Sequence, residues 1–196
     1  MLSGRELALG LVGAWRLARA DRTALLCFDR TPAGFWRSFW VYALLAPPQA
    51  LLTAIQFDQL KISPVPFELI LLQIGFYVLD AVLLPAVLSE IALRTARVPQ
   101  FIAFIIAYNY AQILVTALWL AVLGMARLAG DSSLALLLMA TFAVVVFFQY
   151  RIARIAFDLT PLYAMLVSLL ALGLGLALQL IENGLLQPYC PPGAGA

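Results

Sequence analysis

Asp80 is the residue of this sequence with the most scope for chemistry. It stands thirteen residues into an apolar stretch that opens at Phe67, near the middle of a membrane-spanning length. An ionisable side chain at that depth is costly, so it marks a candidate site by default. Asn109 and Gln112 lie eight and eleven residues into the next apolar stretch, which opens at Phe101 and must run antiparallel to the first. Their depths are therefore similar to that of Asp80, and Tyr77, Tyr108 and Tyr110 fall in the same zone. Two arrangements suit these residues. One is a proton- or ion-linked site around Asp80. The other, which the sequence favours, is a hydrogen-bonded clasp between two helices.

Other chemistries find little support. There is no histidine, which removes the commonest general base and the commonest metal ligand. The two cysteines, Cys27 and Cys190, lack metal-binding spacing and are expected on opposite sides of the membrane. No phosphate-binding glycine loop, zinc-protease motif or nucleophile elbow occurs. An intramembrane aspartyl protease would need a second deep aspartate, and a Ser–Lys dyad would need a lysine other than Lys61. No catalytic residue, metal set or cofactor is therefore expected, and the chain reads as a non-enzyme.

The elements that must position Asp80 follow from composition. Hydrophobic residues make up 64% and charged residues 11% of the 196 residues. A soluble domain has roughly 45–50% apolar and about 25% charged residues. Only a bilayer can take up so much apolar surface. Five spans are expected, at about 35–57, 67–93, 101–125, 134–150 and 159–181. Pro47-Pro48 in the first and Pro85 in the second should kink their helices. Phe35, Trp36, Phe39, Trp40 and Tyr42 suit the headgroup level. Gln56 and Gln73 read as interhelical glue. Glu68 and Glu90 sit near the ends of the second span, with Arg94 four residues beyond Glu90. The fifth span carries small-residue pairs such as Ala164/Ser168, Ala171/Gly175 and Gly173/Ala177, which permit close helix approach. The fold is thus an all-α polytopic bundle, with a transmembrane domain over 35–182, a preceding segment over 1–34 and a disordered exterior tail over 183–196.

Residues 3–28 read as an amphipathic helix. On an ideal helix Arg16 falls about 20° beyond Arg5 and Arg19 about 40° to its other side. Leu7, Leu11, Ala14 and Trp15 lie on another face, while Leu9 and Val12 intrude near the arginines. Such a helix either lies in the interface or packs on the end of the bundle. Arg5, Arg16, Arg19 and Arg22 are its candidate contacts to anionic lipid or to a partner. The charges also interrupt the apolar run that a leader would need, so the first span is expected to direct insertion.

Charge placement sets orientation. Arg5, Arg16, Arg19, Arg22, Arg30, Arg37, Arg94, Arg97, Arg151 and Arg154 fall on one side of a five-span layout, and Lys61 and Arg127 on the other. The positive-inside rule then places the amino terminus in the cytoplasm and the carboxyl terminus outside. The net charge of +2 offers no clustered basic surface for nucleic acid.

The layout resembles the Yip1 superfamily of small membrane proteins. The stretch Phe104–Leu118 (FIIAYNYAQILVTAL) looks like its third-helix region, where an A-Y-x-x-A/P type element recurs. The resemblance spans about residues 35–182 and implies five spans, a cytoplasmic amino terminus and a short exterior or lumenal carboxyl terminus. The amino-terminal D-L-Y-G-P motif is absent, and Asp158–Tyr163 (DLTPLY) only echoes it elsewhere in the chain. The stretch Gly13–Trp40 also looks like small bacterial membrane proteins, which implies a bacterial inner membrane.

The function expected first is that of a scaffold, accessory subunit or membrane-organising factor, working through lipid, a second copy or another membrane protein. The alternative is a small oligomeric transporter or channel built around Asp80. A scaffold would bury Asp80 with its bonds satisfied. A transporter would leave it beside water.

Overall fold

The computed structural model describes residues 2–129 and 134–190. The described residues form helices without strands: α1 (Gly4–Ala18), α2 (Pro32–Ser38), α3 (Trp40–Gln59), α4 (Phe67–Arg94), α5 (Val98–Ala129), α6 (Leu134–Ala156) and α7 (Pro161–Leu186). Five segments are long and apolar enough to cross a membrane: Pro32–Gln59, Phe67–Arg94, Val98–Met125, Leu136–Ala156 and Pro161–Tyr189. The chain is a multi-pass helical membrane protein. Helix α5 is the central element, packing against α1, α2, α3, α4 and α6. Helices α4 and α6 each pack against both α5 and α7, which closes a ring of four.

The first span enters through a joint. Thr31 caps α2 by accepting from the Gly34 amide at 3.1 Å, and Pro32 occupies the first turn, where its missing N–H costs nothing. At the joint with α3, Ser38 donates to the Phe35 carbonyl. Pro47 and Pro48 lie inside α3, and Pro85 inside α4, without ending either helix.

The amino-terminal helix packs on the bundle. Its buried face is Gly10, Gly13, Ala14 and Leu17, at i, i+3, i+4 and i+7. The glycines make this contact. A Cβ at Gly10 would fall 2.3 Å from the Tyr110 ring, and one at Gly13 would fall 2.6 Å from Phe28. Leu9, Val12 and Trp15 face outward. The expected arginine stripe divides. Arg16 turns to Asp21, with Nε donating at 2.7 Å, and to the Thr23 hydroxyl. Arg19 lies 5.1 Å over the Trp15 ring. Arg5 and Arg22 are exposed. Arg37 of α2 pairs with Glu6 of α1 at 3.1 Å and with Asp29 of the intervening loop.

These pairs give a pH dependence. The Thr23 hydroxyl and Arg16 hold the Asp21 carboxyl below its ordinary value of 3.8. The Thr31 hydroxyl, then Arg37, does the same for Asp29. Folding lowers both values, so both pairs are intact above the ordinary value and are lost as the pH falls through the folded-state values. Hydrogen exchange in α1, corrected for intrinsic rates, should show full protection at pH 5 to 7 (about one unit or more above the unfolded carboxyl value) and selective loss below about pH 4. Unchanged protection across the acid range would sink the idea.

The far end of the chain departs from expectation. Helix α7 continues to Leu186 and a 3-10 turn runs over Gln187–Tyr189, where a disordered tail was expected from 183. Leu186 is buried in a small cluster with Phe57, Ile62 and Leu69, and that docking keeps this more polar stretch helical. Residues 191–196 of the expected tail, and 130–133 of the turn expected after the third span, lie outside the described residues. On α7, Ala164 and Ser168 are buried, whereas Gly173 and Gly175 have open space beside them, so close approach within the chain uses the first pair.

Candidate functional site

Stripes of polar residues at helical spacing converge inside the bundle. Helix α3 contributes Gln49, Thr53 and Gln56; α4 contributes Gln73, Tyr77 and Asp80. Helix α5 contributes Tyr108, Gln112 and Thr116; α6 contributes Gln149; and α7 contributes Gln179 and Glu182. Spacings of i, i+4 and i+7 or i+8 put each trio on one face of its helix. The faces line a half-open cavity of about 400 Å³.

Asp80 is exposed to this cavity. Among the described residues it has neither a hydrogen bond nor an ion pair. The clasp expected between Asp80 and the third span is therefore not formed. Two other bonds join the walls. The Tyr77 hydroxyl donates to the Tyr42 carbonyl at 2.6 Å, tying α4 to α3. Gln73 Nε2 donates to Glu182 Oε1 at 2.7 Å, tying α4 to α7.

Of the residues singled out by depth, Tyr77, Asp80, Tyr108 and Gln112 share the cavity, and Asn109 and Tyr110 do not. Asn109 is fully buried and donates to Ser38 Oγ at 2.8 Å, bracing α5 against the joint between α2 and α3. One residue is 100° of helix rotation, which turns Asn109 away from the wall that Tyr108 forms. Gln73 forms the expected interhelical bond, and its partner Glu182 is the last residue of the expected transmembrane domain. Gln49, Thr53, Gln149 and Gln179 were not anticipated. For Gln49, Thr53 and Gln179 the signal is the helical spacing to Gln56 and Glu182, which single-residue depth does not reveal, whereas Gln149 stands alone on α6 and has no such signal.

Glu90 and Arg94 form the i,i+4 pair at 2.7 Å, with both side chains exposed, where such pairs contribute little. A second, smaller hollow of about 300 Å³ at the basic end is lined by Arg22, Arg30, Gln100 and Asp158 among others. Cys27 and Cys190 are both free. Among the described residues no group of three or more acidic or cysteine side chains is placed to hold a metal ion. Comparison with protein families, with curated proteins and with solved structures finds no match.

Proposed function

We propose that this chain is a small transporter or channel that accommodates a polar solute in the cavity between its spans. The observation that carries this reading is Asp80, exposed in a polar cavity of about 400 Å³ at mid-depth of the bundle. Polar groups at that depth are tolerated where they pair with one another or line a water-filled space. With Asp80 unpaired, the second arrangement fits. The volume lies in the usual range for small-molecule sites, roughly 300–1,000 Å³.

The membrane we assign is a bacterial inner membrane, with the amino terminus cytoplasmic and the carboxyl terminus exterior. The loops support that orientation. Arg97 donates to the Asp158 carbonyl at 3.2 Å, so the basic loop before α5 and the loop before α7 share one end of the bundle. Arg22 and Arg30 line the hollow at that same end. The Yip1-like resemblance enters this proposal at the level of layout: five spans with these termini.

A partner-binding role is favoured by one observation, the outward face of α1. Leu9, Val12 and Trp15 are exposed there, with Arg19 stacked beside them. That face suits anionic lipid or another membrane protein at the basic end of the bundle.

Thiol labelling tests the cavity. In a Cys27→Ser, Cys190→Ser background, Gln112→Cys and Thr116→Cys should react with a small neutral methanethiosulfonate. The rate should be on the order of 100-fold above that of Ala107→Cys, because thiolate formation and access govern reactivity. Ala107 is fully buried and serves as the closed reference. Equal, negligible rates at all three positions would overturn the reading.

A further inference from the structure

We propose that the solute of this cavity is a small organic cation carrying an ammonium group, met by Asp80 and approached past Glu182. The inference rests on the transport reading above and specifies its substrate class.

Three observations carry it. The first is the charge of the lining. Asp80 and Glu182 are its ionisable acids, and it contains neither lysine nor arginine. An anion would meet two carboxylates and no basic side chain. A cation would find both counter-charges inside low-dielectric walls, where field lines are focused rather than screened.

The second is the arrangement of the two acids. Glu182 is bonded to Gln73, and Gln73 precedes Asp80 by seven residues on α4. Seven residues are about 10 Å of helix rise. Glu182 therefore stands about two turns from Asp80, toward the end of the bundle that holds the cluster of Phe57, Ile62, Leu69 and Leu186. The acids form a series from that end to mid-depth. The basic residues of the loops gather at the opposite end.

The third is the character of the remaining wall. Tyr42, Tyr77, Tyr108, Trp119, Phe76 and Phe142 line it between the glutamines. Aromatic faces attract a weakly hydrated ammonium and give its carbon substituents an apolar contact. A hard divalent ion asks for something else, six or more oxygen ligands in a tight shell. Among the described residues no acidic cluster of three is placed to supply it.

Labelling of Thr116→Cys in the Cys27→Ser, Cys190→Ser background separates this inference from the reading beneath it. Rates are compared for a neutral, a trimethylammonium and a sulfonate methanethiosulfonate. The cation-to-anion ratio should exceed that on a free thiol by on the order of tenfold or more. It should fall toward the free-thiol value in the Asp80→Asn, Glu182→Gln variant, which keeps size and polarity. Tetraethylammonium should slow the neutral reagent at concentrations where sodium does not.

Labelling by the neutral reagent with no charge preference, or a preference that survives the double substitution, would overturn the cation while leaving the cavity. Equal protection by sodium and tetraethylammonium would overturn the organic class. No labelling by any reagent would remove the transport reading and the inference together. The single variants Asp80→Asn and Glu182→Gln, each moving the ratio part of the way, guard against a double variant that fails to fold.

Discussion

Gly34→Ala is expected to destabilise the protein by about 3 kcal/mol, at the upper end of what overpacking usually costs. Gly34 lies in the first turn of α2, where the chain doubles back over Asp29. A Cβ there would fall 1.9 Å from the Asp29 carbonyl oxygen and 2.9 Å from its carbon. Those are backbone atoms, and no side-chain rotation clears them. Asp29 must move, and its bonds move with it. It accepts from the Thr31 amide at 3.2 Å and pairs with Arg37, and Arg37 is also the partner of Glu6. The clash should therefore spread from the entry of the first span to the seat of α1. Gly75→Ala in α4 is the matched control. Nothing lies within 4 Å of that position, and a helical glycine gives up about 0.5–1 kcal/mol relative to alanine, so this change should stabilise. Unfolding titrations in mixed micelles would measure both. A Gly34→Ala protein as stable as the parent would mean that the joint does not depend on this close approach.

The same joint shows which features were legible in the sequence. Thr31-Pro32 reads as a break ahead of the first span, and the structure places Thr31 as the cap and Pro32 in the first turn of α2. The spans were legible because bilayer thickness sets their length and lipid sets their composition. The packing of α1 was not. Its contact face contains Gly10 and Gly13, which count for little by hydrophobicity and a great deal by how closely a ring can approach. Its expected apolar face included Trp15, which points outward. Asp80 stood out because a charge at mid-depth is rare. Asn109 was grouped with it because depth along a span can be counted, whereas the direction a residue faces depends on how its helix is rotated in the bundle. The neutral cavity lining was present as glutamines, threonines and tyrosines spaced by four and seven. Taken singly, each resembles an ordinary interhelical bond. The stretch from 183 reads as a tail because apolar character fades there, while the helix is held by Leu186 docking against residues from three other parts of the chain.

The bond between Gln73 and Glu182 is where cavity and fold meet, and it should show strong coupling. A polar cavity at membrane depth weakens the bundle, because the helices around it forgo the packing that apolar walls would provide. The four-helix ring needs a tie on its α4–α7 side, and this bond is one, 2.7 Å long and accepted by a carboxylate. Bonds to charged groups contribute more than neutral ones, though bonds between membrane helices average well under 1 kcal/mol and reach about 1.7 at most. Both side chains are partly exposed, which weakens the bond, while the charged acceptor strengthens it, so a coupling of about 0.5–1.5 kcal/mol is expected from a double-mutant cycle of Gln73→Leu and Glu182→Leu. The asymmetry is the more telling part. Gln73→Leu removes the donor and leaves a carboxylate beside a new apolar group, so it should be the worse single change. Glu182→Leu leaves a neutral amide that the cavity can still solvate. The double variant should be less destabilised than the sum of the two, because neither unpaired group remains. Strict additivity would show that the two side chains are neighbours without dependence, and the ring would then be held by apolar contacts such as Leu186 on Leu69. Coupling with the expected asymmetry would mean that the carboxylate at the mouth of the cavity is held in place by the same bond that closes the bundle.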